Sequence, residues 1–346
     1  MAKKETVVKE QSLEDYIADL NKDLKLTSVQ VAGSTKSVKM PRLSSGSITY
    51  DVCVGGGFPI GRHTLLYGAE SSGKSTVSLM ALAQYQKTKD KRAALIIDSE
   101  YSVDKKYCQT LGVNLKNVII FQPDHLAQAH SVLMRLLQDN KIGFFIVDSI
   151  AALLPQSVIE NEADAANIGV HARSIGNMYK ISNSFVGKNL VTAIWINQIR
   201  DSIGGYGGGI SLPGGHAPKF YSSVSIKVMR GSKTDNKDGT FTNQGWIRVE
   251  KNKTSAPYME GYYDMEHGSG ISVSQEVRDY GVDTGVLYKK GHSFYYDSTF
   301  ENEPEKSKEH LQLGTSKDEA KQFLNDNLEL RDELYNLIIH AKFGEE

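Results

Sequence analysis

From about residue 60 the chain alternates short, almost unbroken apolar runs with longer stretches of helical periodicity. The apolar runs are "RHTLLYG", "RAALIIDSE", "NVIIF", "IGFFIVDS" and "LVTAIWINQ". Such runs suit strands buried on both faces of a parallel sheet. Residues 74–87, 125–138 and 170–185 lie between them and read as helices. Strand and helix thus alternate as in an α/β core. Further on, "SVSIKVMRG" and "GWIRVEKNK" alternate more like antiparallel strands, and "TDNKDGTF" between them reads as a hairpin turn.

Three stretches stand apart from this core. "SLEDYIADLNKDL", residues 12–24, places Leu13, Tyr16, Ile17, Leu20 and Leu24 at helical spacing, with Ser12 and Asp15 as a capping box. Its apolar face has two candidate partners, the chain's own core or another subunit. "GGYGGGISLPGG", residues 204–215, is more than half glycine and too flexible for a core element. It reads either as a functional loop or as a plain surface connection. Past about residue 271 come a small mixed segment, the polar run "ENEPEKSKEH" and a last helix near 328–342. Together they suggest a separate small domain.

Composition narrows the setting. The 346 residues are 40% hydrophobic and 23% charged, the balance of a soluble globular protein. No apolar run approaches the roughly 20 residues that span a bilayer. "MAKKETVVKEQS" lacks the apolar segment of a secretion signal. Cys53 and Cys108 are the only cysteines, which points to a reducing, cytoplasmic setting rather than a disulfide framework. The net charge of −1 gives no sign of nucleic-acid binding, but residues 301–346 carry 12 acidic against 6 basic side chains. The rest of the chain is therefore mildly basic, which permits anionic partners there.

The sharpest chemistry lies in "GAESSGKST". Gly68, Gly73, Lys74 and Ser75 satisfy G-x-x-x-x-G-K-[ST] between a predicted strand and a predicted helix. Glycine lets the backbone wrap close to phosphate, so that loop N–H groups, those of Glu70, Ser71 and Ser72 among them, can donate to it. Lys74 adds a point charge near the β- and γ-phosphates, Ser75 can place its hydroxyl on Mg²⁺, and the helix N-terminus adds its dipole. The bland alternative is a glycine-rich turn. Asp98 and Glu100 in "LIIDSE" and Asp148 in "FFIVDS" end two further strands, where ligands of open α/β sheets bind. One carboxylate there can hold a metal's water shell and a second can orient water; each can equally be a strand-end cap. Gln198 ends another apolar strand in "WINQIR"; an uncharged amide there could sense a γ-phosphate, though alone it is a weak signal.

In order, "SSGSITYDVCVGGGFPIGR", "GAESSGKST", "IIDSEYSVD", "FFIVDSIAALLP", "WINQIR", "GGHAPKFYSSV" and "VEKNKTSAPY" resemble the RecA recombinases of bacteria and some of their phages. A fainter likeness runs through "RDYGVDTGVLYKKGHSFYY", so the resemblance covers roughly residues 28–297. It implies a RecA-like P-loop ATPase core with a mostly parallel central sheet over residues 37–271. Residues 1–36 would be an N-terminal helix–strand oligomerisation arm, and residues 272–346 a small α+β C-terminal domain. Under this resemblance the helix near Tyr16 packs on a neighbouring subunit.

The resemblance also implies roles. Lys74, Ser75 and Thr76 would bind ATP phosphates and Mg²⁺, with Asp148 supporting the metal through its water shell. Glu100 would activate the attacking water. Asp104 and Tyr107 would contact the adenine, Tyr107 by stacking. Gln198 would couple the γ-phosphate to the glycine-rich loop. Lys251 and Lys253 would reach the ATP of the adjacent subunit, and Phe220 would pack into that subunit. DNA would be held by a loop near 160–173, with Ile168, Gly169 and Arg173, followed by Lys180 on a helix. A second loop, 199–215, would add Arg200, Gly214 and Gly215, with Tyr206 as a candidate base wedge. Phosphate-directed N–H groups and a few cations suit single strands without reading sequence. Ala69, Ser75, Tyr101 and Ile168 depart from the residues usual in bacterial members, which suggests a divergent, phage-type version.

These implications favour an ATP-dependent recombinase that forms filaments on single-stranded DNA and pairs it with homologous duplex DNA. A ring helicase or translocase shares the core but usually carries an arginine finger, where "EKNK" offers lysines. A small-molecule P-loop kinase would need an acceptor pocket and an Arg-rich lid. A non-catalytic accessory protein would not need Lys74, Glu100 and Asp148 together.

Overall fold

The computed structural model describes residues 12–25, 29–32, 40–160, 165–201, 210–235, 241–266, 268–297 and 311–344. They fall into two units, one up to Met40 and one from Pro41 onward. In the first, the helix Leu13–Asp23 starts as its sequence dictates. The Ser12 hydroxyl accepts from the Asp15 N–H at 3.1 Å and donates to Asp15 Oδ2 at 2.7 Å. None of its residues is buried, and Leu13 and Tyr16 are 60% and 57% exposed.

The second unit is built on a nine-stranded sheet. In chain order its strands are β1 (His63–Gly68), β2 (Ala93–Asp98), β3 (Val118–Phe121), β4 (Ile142–Asp148) and β5 (Thr192–Gln198). Then come β6 (Val224–Asp235), β7 (Phe241–Asn252), β8 (Glu260–Glu266) and β9 (Gly270–Ile271). Their spatial order is β9-β8-β7-β6-β1-β5-β4-β2-β3. From β6 through β3 all neighbours are parallel, and β7, β8 and β9 add antiparallel.

The unbroken apolar runs follow from burial on both faces, since successive side chains point to opposite sides. Leu66, Ile96 and Ile196 face the helices Ile48–Val54 and Lys74–Lys87. Leu65, Leu95 and Trp195 face the helices Leu126–Gln138 and Ala165–Lys188. Each such side chain contributes about 1.5–3 kcal/mol when fully buried.

Two expectations change. The helix anticipated at 170–185 spans Ala165–Lys188, with Ile175, Met178, Tyr179 and Val186 as its buried stripe. The hairpin is also longer than its sequence turn. Thr234 pairs with Thr242 and Asp235 with Phe241, so only 236–240 connect the strands, and those residues lie outside the described ones. The β-branched threonines fit a pleated strand better than a turn.

Residues 273–343 bury a further cluster that includes Val277, Phe294, Leu313, Leu324 and Ile338, joined by Ile48 from the Ile48–Val54 helix. The helix Val273–Thr284 sends Glu276 to that short helix. Glu276 accepts from the Ser47 hydroxyl at 2.7 Å and from the N–H groups of Ile48 and Thr49 at 2.9 and 3.3 Å. The "ENEPEKSKEH" run, 301–310, lies outside the described residues.

Candidate active site

The strand register brings the sequence motifs to one sheet edge. Gly68 at the end of β1 pairs with Gln198 at the end of β5, and Asp98 at the end of β2 with Asp148 at the end of β4. The loop leaving Gly68 passes the exposed Glu70 and Ser71, the latter at φ 55°, then the buried Ser72, and enters the Lys74–Lys87 helix at Gly73. A Cβ on Gly68 would stand 1.9 Å from the Val228 carbonyl oxygen, so only glycine fits. Gly73 has φ 93° and is the helix N-cap, with no side chain to accept from the first-turn N–H groups.

Lys74 turns back over the loop. Its ammonium donates to Gly68 O at 3.1 Å, Ala69 O at 2.6 Å and Ser72 Oγ at 3.3 Å. Burial lowers its pKa, against the opposing pull of Asp148, Glu100 and Glu70. Ser75 Oγ donates to Asp148 Oδ2 at 2.5 Å. Burial pushes the Asp148 carboxyl up to about 6, although that bond and Lys74 favour its charge. An uncapped helix start, a cation among the loop oxygens and a hydroxyl–carboxylate pair together fit a nucleotide phosphate with a divalent ion. Lys74, Ser75 and the loop N–H groups would hold the phosphates, with Ser75 and Asp148 on the metal side.

Glu100 stands beside this loop. Ser149 Oγ and Gln198 Nε2 both donate to its Oε1, the latter at 2.8 Å. Ser149 is fully buried; it follows Asp148 in "VDS", and that adjacency was the signal available for it. Asp98 is a cap. Its buried carboxylate accepts from the N–H groups of Ser102 and Val103 at 3.0 and 3.2 Å and from Gln122 Nε2 at 2.9 Å. The loop it holds walls a cavity of about 220 Å³ lined by Ser75, Leu79, Val103, Asp104, Tyr107 and Asp148. Asp104 is the N-cap of the helix Lys105–Thr110. The Tyr107 hydroxyl pairs with Thr76 Oγ1 at 3.0 Å, so Thr76, in the first turn of the helix Lys74–Lys87, holds that ring.

The remaining expected residues lie elsewhere. The first expected DNA loop is largely helix. Ile168, Gly169 and Arg173 belong to the helix Ala165–Lys188, and 161–164 lie outside the described residues. Arg173 and Lys180 are exposed on it, and a Cβ on Gly169 would meet nothing within 4 Å. Arg200 pairs by its backbone with Ser211 across the glycine-rich segment; 202–209, with Tyr206, lie outside the described residues. Gly214 and Gly215, at φ 84° and 66°, press the end of that segment onto Ile175 and Ala172 of the same helix. Asn197 Nδ2 donates to Pro213 O at 2.8 Å, which ties the segment to the residue beside Gln198.

Lys251 and Lys253 lie at the other end of the sheet. Lys251 is level with Ser225, itself level with Leu65, and the Lys253 N–H donates to Ser223 O at 2.9 Å, next to His63. His63 and Gly68 are the two ends of β1, about 16 Å apart at strand rise. The Lys251 ammonium donates to the carbonyls of Lys219 and Phe220 at 2.6 and 2.9 Å. Burial and Lys253 lower its pKa. Phe220 is 71% exposed.

Residues 11–272 match the family model of the RecA N-terminal domain. The chain is similar to Protein RecA of Zymomonas mobilis, 33% identical over 334 residues, covering 96% of this chain and 90% of that one. Protein RecA of Oceanobacillus iheyensis is 34% identical over 332 residues, covering 95% and 92%. Among solved structures, the RadB recombinase aligns with a TM-score of 0.51 at 19% identity, over 66% of this chain and 98% of that one. That likeness concerns the fold. Among the described residues, no helix is long and apolar enough to cross a membrane.

Proposed function

The chain belongs to the RecA family of nucleotide-binding recombination proteins, and on that premise we propose that it is a DNA-dependent ATPase. It assembles filaments on single-stranded DNA in the cytoplasm of a bacterial cell, pairs them with homologous duplex DNA and exchanges strands. The observation that carries this reading is the convergence of Glu100, Gln198 and Ser149 beside the Lys74 loop. A carboxylate held by two donors through one oxygen keeps the other oxygen to orient water. Bound ATP–Mg²⁺ supplies the phosphoanhydride bond that this water cleaves.

Gln198 lies between that carboxylate and the Arg200–Gly215 segment, which supports a coupling between nucleotide and DNA. Lys251, Lys253 and Phe220 are remote from their own phosphate loop, which supports a role on the neighbouring protomer's site. The exposed apolar face of Leu13–Asp23 supports residues 1–36 as an arm that docks on that protomer, and residues 272–346 are read as a small domain beside the 37–271 core. Nucleotide state then acts on assembly, a ligand-linked equilibrium.

A strand-invasion assay with homologous and heterologous duplex, each with and without ATP, tests the proposal. Invasion is expected only with homology and ATP, alongside an ATPase rate that single-stranded DNA raises several-fold. Invasion indifferent to homology would favour a motor or a passive binder.

A further inference from the structure

Tyr263, on β8, lies under the phosphate loop. It is 3% exposed, and its hydroxyl donates to the Ser72 carbonyl at 3.2 Å. Its ring rests on Gly245 of β7, the residue paired with it, where a Cβ would stand 2.2 Å from the ring's Cζ. From the other side the buried Tyr50 hydroxyl donates to the Tyr263 hydroxyl at 3.4 Å, with ring centroids 5.4 Å apart. Tyr50 belongs to the helix Ile48–Val54, which settles onto β8 because Gly261 has no Cβ. A Cβ there would stand 2.5 Å from Thr49 Cγ2. Burial pushes the Tyr263 phenol up to about 12 and Tyr50 well above its ordinary value, so both keep the proton they donate.

The consequence lies in the next peptide. The Ser72–Gly73 bond is trans, and in a planar trans peptide C=O and N–H point in opposite directions. A carbonyl held toward Tyr263 turns the Gly73 N–H away from β8. Gly73 is the N-cap, so this N–H has no acceptor in the helix. We propose that Tyr263 is a positioning residue for phosphate binding: its hydroxyl fixes the Ser72–Gly73 peptide and so aims the Gly73 N–H, while Tyr50 steadies that hydroxyl from the helix Ile48–Val54. The inference rests on the nucleotide reading above.

Titration of a fluorescent ADP with Mg²⁺, alongside thermal unfolding, tests it on the full chain. Tyr263→Phe keeps the ring and loses the hydroxyl, and ADP is expected to bind about three- to tenfold more weakly. Tyr50→Phe, which leaves the Tyr263 hydroxyl in place, is expected to weaken binding less. Added to Tyr263→Phe it is expected to weaken binding no further, because it acts through that hydroxyl. A merely structural role would lower the melting temperature and leave the ADP affinity within twofold, and that result in Tyr263→Phe would overturn the inference. Equal and additive effects of the two variants would overturn the relay. Failure of the unaltered chain to bind ADP would instead remove the nucleotide reading itself.

Discussion

At Glu100 a single oxygen, Oε1, takes both neighbouring donors, Ser149 Oγ and Gln198 Nε2. An amide can present the same acceptor with its carbonyl oxygen, so Glu100→Gln keeps that contact and removes only the proposed base. Its ATP turnover is expected to fall about 10²–10⁴-fold, with ADP affinity within twofold and folding unchanged, as single-turnover kinetics and nucleotide titration would reveal. Glu276 carries a different prediction. Burial raises its pKa from the ordinary 4.5 to about 7, against the hydrogen bonds from Ser47, Ile48 and Thr49. The folded chain therefore binds this proton more tightly than the unfolded chain does. The stability it contributes is fully present below about 4.5 and is lost as pH rises through about 7. Glu276→Gln, which does not titrate, should flatten urea-unfolding free energy across that window by on the order of 1–3 kcal/mol. An unchanged slope would mean that another group sets it.

Among the elements, the parallel strands were legible because burial on both faces leaves no polar alternate, as in "LLYG" and "FFIV". The long helix was legible only in its middle. The structure extends it to Ala165 and Lys188. The short helix Ile48–Val54 and strand β8 were hidden. What holds them is remote in sequence: Glu276 at the helix start, and Gly261 admitting Thr49. The same remoteness applies to the two glycines proposed to meet DNA. Gly214 and Gly215 are recognisable as glycines of a loop, but not as the places where that loop meets Ile175 and Ala172. A Cβ on Gly214 would stand 3.2 Å from both Ile150 Cγ2 and Ile175 Cγ2, at φ 84°. Gly214→Ala should therefore cost about 1–3 kcal/mol of stability. It should also weaken single-stranded DNA binding several-fold while leaving ADP affinity within twofold, since the phosphate loop is not part of that contact. Equal losses of both ligands would place the effect in global folding.

For the whole molecule, the decisive question is whether a site is completed by one chain or by two. The phosphate loop and Glu100 sit at one end of the parallel strands, while Lys253 sits level with the start of β1. Strand rise over His63–Gly68 sets these about 16 Å apart, beyond the reach of a lysine side chain. If Lys253 serves nucleotide chemistry, it does so on another protomer. Mixing two variants reads this directly. Lys253→Ala keeps a complete loop and its own Glu100 but withholds that one lysine from its neighbour. Glu100→Gln has no base but still offers Lys253. Each alone should turn ATP over at a small fraction of the parent rate. In co-assembled filaments, a Lys253→Ala protomer whose neighbour is Glu100→Gln has every group it needs, so DNA-stimulated turnover should reappear on mixing. It should be greatest at intermediate ratios and vanish when salt dissociates the filament. Turnover that remains the simple average of the two variants would assign Lys253 to its own chain or to no part of the reaction.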